Sequence, residues 1–193
     1  MEDFSHHIST GEVLCQRRQW GEAALAYARA ASVAMDVKHQ EAARWAWEAA
    51  AEAWRRDDRL VSAARAFRMA LSLSGADMEG SVRTQIKLAG VLTELGDAGV
   101  GVALCRAAEA ESHEGPVYWL LIDTWIGVLF SLGRKEQMRP LVKRLAEGVE
   151  GPMRAASAFR QAQLCRMEGE LSRSSELLTR VLAELGGREE AVV

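Results

Sequence analysis

Residues 47–70 read WEAAAEAWRRDDRLVSAARAFRMA, and this stretch decides the fold. Its second half sets Leu60, Ala63, Phe67 and Ala70 at offsets of 3, 4 and 3, so all four share one face of a helix. Its first half sets Trp47, Ala50, Ala51 and Trp54 on a helix of their own, and Asp57-Asp58 interrupts the two. Small residues let a facing backbone come close, and bulky ones fill the space beside it. The same phrase occurs upstream as Trp20, Ala23, Tyr27, Ala30 and downstream, more weakly, as Ala98, Gly101, Cys105, Ala108. The leading residues Trp20, Leu60 and Ala98 lie 40 and 38 apart. Nine positions before each stands a small residue of a partner segment: Gly11, Ala51 and Ala89. A period in this range signals stacked helix pairs, each covering the next, in place of one central core.

These residues resemble the tetratricopeptide repeat (TPR) family. The second unit matches best, through Trp47, Ala50, Ala51, Trp54, Ala63, Phe67 and Ala70. The first keeps Gly11, Leu14, Ala23, Tyr27 and Ala30, with His7 where an aromatic is usual. The third keeps Leu88, Ala89 and Leu92, with Gly96-Asp97 at the turn. Two weaker units run from Val117 through Gly133 to Leu145 and from Met153 through Gly169 to Leu182. Met138 replaces the small residue in the fourth unit. In the fifth, Ser174 stands for the small residue and Leu178 for the aromatic. The repeats exceed the usual length of about 34 residues, which resembles the long-repeat branch of about 36–40. The resemblance implies an all-α fold, a right-handed α-α superhelix of about five helix pairs. The units are expected at 4–37, 38–75, 76–114, 115–150 and 151–187 of a single solenoid, with 188–193 as a tail.

Punctuation predicts helices over 5–18, 20–36, 39–56, 58–74, 78–95, 97–112, 116–132, 135–148, 152–168 and 171–186. Gly115-Pro116 and Gly151-Pro152 lie 36 apart, where a glycine closes one helix and a proline opens the next. Gly75-Ala76-Asp77 separates the second and third units. Asp57-Asp58 and Asp97 offer N-caps. Pro140 is expected to kink its helix or delay its start.

Hydrophobic residues make up 49% and charged residues 26%, which suits a globular chain. The start, Met1-Glu2-Asp3, is acidic, and no apolar stretch follows, which argues against a signal peptide or a membrane span. Cys15, Cys105 and Cys165 are odd in number and scattered, so no disulfide framework is expected and a cytoplasmic home is. The net charge of −3 argues against nucleic acid as a partner. Residues 134–180 nevertheless carry 10 Lys/Arg against 6 Asp/Glu, while 1–133 carry 13 against 18.

No motif carries catalysis or a metal. His6-His7 are adjacent, so on a helix they diverge by about 100°. His39 and His113 sit at helix boundaries without metal-ligand spacing. The cysteines read as packing groups. Gly96-Asp97-Ala98-Gly99-Val100-Gly101 follows a helix and lacks Gly-Lys-Ser/Thr, so it reads as a turn and a close helix contact. No cofactor is expected.

Family geometry implies that the first helix of each pair lines a concave groove. The groove-facing places are Ile8 and Glu12, then Trp45, Glu48, Glu52 and Arg55, then Arg83, Ile86 and Lys87. The fourth unit supplies Asp123, Thr124 and Phe130, and the fifth Phe159, Arg160, Gln163 and Arg166. Of these, Trp45, Glu48, Arg83, Lys87, Asp123, Phe159, Arg160 and Arg166 are the expected partner-binding residues. Aromatics supply buried area and arginines supply forked donors. Arg83 and Lys87 match the third-unit cations of a family version that clamps a chaperone tail, but Ile8, Glu12 and Ala49 replace its other ligands. The expected function is a non-catalytic adaptor or scaffold that binds a peptide or helix of a protein partner. Alternatives are a secretion-type TPR chaperone and the peptide-sensing part of a transcription regulator. The final helix carries Leu177, Leu178, Val181, Leu182 and Leu185, an apolar stripe more than one residue wide. Self-association through Leu178 and Leu182, as a homodimer, is expected there.

Overall fold

A computed structural model describes residues 2–75, 77–150 and 153–189, with side chains described for 3–75, 77–150 and 153–183. Among the described residues the chain is all-α. Its helices are α1 (Glu2–Gln16), α2 (Trp20–Asp36), α3 (Gln40–Arg56), α4 (Leu60–Ser72), α5 (Met78–Glu94), α6 (Ala98–Glu111), α7 (Gly115–Ser131), α8 (Lys135–Gly148), α9 (Met153–Glu168) and α10 (Leu171–Glu189). Each helix packs on its successor within two compact units, Met1–Ser112 holding α1 to α6 and His113–Val193 holding α7 to α10.

The first unit is built on alanine. Ala23, Ala24, Ala30, Ala31, Ala43, Ala46, Ala50, Ala51, Ala63 and Ala70 are all fully buried. Methyl-sized side chains bring α2, α3 and α4 close together, and the large residues of the repeated phrase fill the remaining space. Phe67 is fully buried against Ala51, Leu88 and Leu92. Tyr27 packs with Ala23, Ala50 and Ala53. Trp47 borders three apolar clusters of this unit. Gly11 marks a close approach, since a Cβ there would lie 2.7 Å from Tyr27 Cε1.

The second unit relies on larger side chains. Leu121, Ile122, Ile126, Met138 and Leu145 are fully buried. Met138 occupies the place of a small residue and is wholly enclosed, and α7 and α8 share a smaller contact than α1 and α2. Ser174 keeps its small-residue role: it is buried, and its hydroxyl donates to the Ala162 carbonyl at 2.9 Å.

The turns correct one expectation. Asp58 does not cap α4. It adopts φ 60°, and the N-cap is Arg59, which makes no side-chain cap bond. Arg18, Asp58, Gly96, Gly133 and Gly169 all have positive φ, and each stands two residues before the next helix. The Asp57-Asp58 pair is therefore a left-handed corner shared by every pair, filled by glycine in the later units and by Arg18 and Asp58 in the first two. Asp97 stands at an N-cap, but its side chain makes no cap bond either. Among the described residues, side-chain caps come from His39, whose Nδ1 accepts from the Ala42 N–H, and Asp77, whose Oδ1 accepts from the Gly80 N–H at 2.9 Å. Pro116 opens α7 within its first turn. Pro140 lies inside α8, which nonetheless begins at Lys135. Ala76 and Gly151-Pro152 lie outside the described residues, as do residues 190–193 of the tail and the Leu185 side chain.

Candidate functional site: the first-helix face

In the first unit, α3 and α5 are neighbouring first helices, and their facing sides are joined by a chain of charges. Arg44 donates to Glu48 Oε1 at 2.9 Å and reaches Asp77 Oδ2 at 2.9 Å. The Thr84 hydroxyl donates to the same Glu48 oxygen at 2.9 Å. Lys87 Nζ sits 3.5 Å from both Glu48 and Glu52. Arg55 closes the far end on Glu94, with Nη2 at 2.5 Å and Nε at 3.1 Å from one oxygen. That bond holds the Arg55 guanidinium above its ordinary range.

The expected residues divide by environment. Glu48 is half-buried at the centre of this network. Lys87 and Arg83 are 37% and 52% exposed, and among the described residues Arg83 pairs only with Glu79, one turn earlier on its own helix. Trp45 is 48% exposed and meets the Tyr27 ring edge-on at 6.2 Å. Ile86 is buried and belongs to the core instead of the face. Ile8 is half-buried among Phe4 and Trp47, and Glu12 is exposed.

In the second unit, Arg160 of α9 binds Asp123 of α7 through two bonds and also donates to Gln163 at 2.9 Å. Phe159 is exposed, with the Arg160 guanidinium 5.6 Å from its ring centre. Thr124 and Phe130 are half-buried, and Arg166 is exposed. On α10, Leu178 and Leu182 are exposed, with Leu182 at 70%.

Arg44, Asp77, Thr84 and Glu94 are not among the residues the repeat pattern assigns to this face. Arg44 and Glu48 stand four apart on one helix, a pattern visible in sequence. The links to Asp77, Thr84 and Glu94 bridge separate repeats and carry no local signal.

Two buried indole N–H groups, on Trp47 and Trp125, have no partner among the described residues. Burial pushes the Cys105 thiol up to about 12 and raises the Cys165 thiol as well, so neither is poised as a nucleophile. The Tyr27 hydroxyl is also held well above its ordinary value by burial, with the Cys15 thiol beside it at 3.8 Å. Among the described residues no group of His, Cys, Asp and Glu is arranged to hold a metal, and no helix is long and apolar enough to cross a membrane.

These helix pairs, with a left-handed corner in each and small residues at the crossings of the first unit, define a TPR-like helical repeat of the solenoid class. Solved structures agree. A Podosopora anserina protein described as a kinesin light chain with nearly identical TPR-like repeats matches with a TM-score of 0.71 at 16% identity, over 93% of each chain. A point variant of that protein matches with a TM-score of 0.75 at 16% identity, over 96% of each chain. No protein-family model matches the sequence, and no curated protein does.

Proposed function

We propose that this chain is a non-catalytic scaffold that holds a peptide or helix of a protein partner against its first helices. The observation that carries this reading is the contrast within the first-helix face of the first unit. Arg44 is locked into half-buried pairs, whereas Lys87 and Arg83 are more exposed and make looser or purely local ones. Exposed pairs are worth at most about 1 kcal/mol, so a partner carboxylate displaces Glu79 or Glu52 at little cost. Trp45 lies half-exposed on α3 beside the Glu48 network and supplies apolar area with few rotamers to freeze. Three free cysteines accord with a cytoplasmic setting.

The test is capture from a matched lysate, with the bound proteins identified by mass spectrometry. Arg83→Glu with Lys87→Glu is expected to abolish capture while helical circular dichroism stays intact. Capture that survives both reversals refutes a first-helix site.

A second reading concerns assembly. Leu178 and Leu182 remain exposed on α10 while Leu177 and Val181 are partly covered. An apolar stripe left open on a helix favours a two-fold homodimer through this helix.

A further inference from the structure

We propose that the second helices of the first unit form a separate docking site for an acidic peptide segment bearing one large apolar side chain. This goes beyond the first-helix reading and uses different helices. On α3 and α5, Arg44, Arg55, Arg83 and Lys87 each meet a carboxylate. On α4 the balance reverses, whereas α2 and α6 also carry Glu22, Asp36, Glu109 and Glu111. Arg29 of α2, Arg65 and Arg68 of α4 and Arg106 of α6 are exposed, and none has a hydrogen-bond or ion-pair partner among the described residues. The α4 sequence, LVSAARAFRMALS, contains no acid at all. Arg68 stands eight residues after Leu60 and Arg106 eight after Ala98, so the repeat sets these two cations at equivalent places, and Arg29 falls one position further on, nine after Trp20.

Beside Arg65 lies a cavity of about 450 Å³, lined by this arginine with Ser62, Ala66 and Met69 of α4 and by Trp47 and Trp54 of α3. Its wall is mostly apolar, its volume falls in the range of ligand pockets, and its charged lining residue is an unpaired arginine. A purely anionic chain would satisfy the arginines and leave the cavity empty. A purely apolar segment would fill the cavity and leave the arginines unmatched. A large apolar side chain flanked by carboxylates does both. Unlike Lys87, Arg65 accepts a partner carboxylate without first releasing one of its own.

The experiment is fluorescence anisotropy with a labelled, end-blocked peptide that has a central phenylalanine between glutamates. A version with glycine at the centre, a version with lysines for glutamates and a single-stranded oligothymidylate run beside it. The full chain is expected to bind the first peptide, with affinity reduced at least about fivefold by the central glycine and abolished by lysines. Arg65→Glu with Arg68→Glu is expected to weaken it by about tenfold or more, and by more than Arg83→Glu with Lys87→Glu does. Both arginines are exposed, so folding survives, and circular dichroism verifies this. Met69→Trp, which fills the cavity, is expected to act like the central glycine. Equal binding of the phenylalanine and glycine peptides, retention of binding by the Arg65/Arg68 variant, or tighter binding of oligothymidylate overturns the proposal. Loss of lysate capture by Arg83→Glu with Lys87→Glu bears only on the first-helix site, so the two readings fail separately.

Discussion

Arg160 of α9 donates to both carboxylate oxygens of Asp123 on α7, Nε to Oδ1 at 2.7 Å and Nη2 to Oδ2 at 3.0 Å. Gly127, one turn after Asp123, leaves room for the guanidinium, since a Cβ there would sit 3.2 Å from Nη2. The two side chains are only 17% and 18% exposed, so removing one partner strands a partly buried charge. Asp123→Ala is expected to cost about 3 kcal/mol. The double variant Asp123→Ala/Arg160→Leu should cost less than the sum of the single changes. A urea-denaturation cycle measures this, and a coupling near zero would show that the pair is decorative.

Corner geometry yields a stabilising change. Arg18 has φ 59° and Asp58 φ 60°, where the later repeats use glycine. A side chain at such an angle costs on the order of 1 kcal/mol, part of which glycine returns in unfolded-chain entropy. Arg18→Gly should therefore raise the midpoint of thermal unfolding by a few degrees, and Asp58→Gly by less, because aspartate tolerates the left-handed region better. A lowered midpoint for Arg18→Gly would contradict the shared corner.

The second repeat carries the packing of the first unit. Phe67 is fully buried, and Phe67→Ala is expected to cost about 3–5 kcal/mol through the cavity it opens. Ala63, also fully buried, has no room to grow, so Ala63→Leu should cost about 1–3 kcal/mol. Chemical denaturation gives both values. Unchanged stability in both variants would mean that the helical register is wrong.

Cys105 supplies a pH-dependent prediction. Burial raises its thiol from the ordinary 9.0 to about 12, so the folded protein holds this proton more tightly than the unfolded chain does. The associated stability is fully present below about pH 9 and is lost as pH rises towards 12. Cys105→Ala should flatten that alkaline decline. In native protein near neutral pH, a thiol reagent should leave Cys105 unmodified until denaturant is added. Rapid labelling of Cys105 in the folded state, read by peptide mass spectrometry, would refute its burial.

Self-association through α10 is tested by sedimentation or light scattering. A dimer at micromolar concentration that Leu178→Glu and Leu182→Glu convert to monomer is the expected result. A clean monomer before substitution removes this interface.

The helices and their pairing are legible in sequence because both depend on local rules. A 3.6-residue period, a small–large code and glycines at corners act over one or two turns, so Leu60, Ala63, Phe67 and Ala70 locate α4 and its buried face. The Asp57-Asp58 corner misleads because acids before a helix usually cap it, and only the backbone angle distinguishes a cap from a left-handed turn. Groove-facing positions can likewise be placed on their helices, but the state of their charges cannot be read there.

What the sequence by itself determined is the order of helices, the side of each that is buried and the alanine-lined approach of α2, α3 and α4. Tertiary structure alone decided which cations are occupied. Thr84 meets Glu48 across 36 residues and Arg55 meets Glu94 across 39. Such pairs depend on how one repeat is set against the next and on the rotamers of long side chains, and no local pattern encodes either. The same placement left Arg65, on the wall of a mostly apolar cavity, without a partner among the described residues. Side-chain chemistry is written residue by residue, but whether a charge is spent or available is settled only when its neighbours from another repeat arrive.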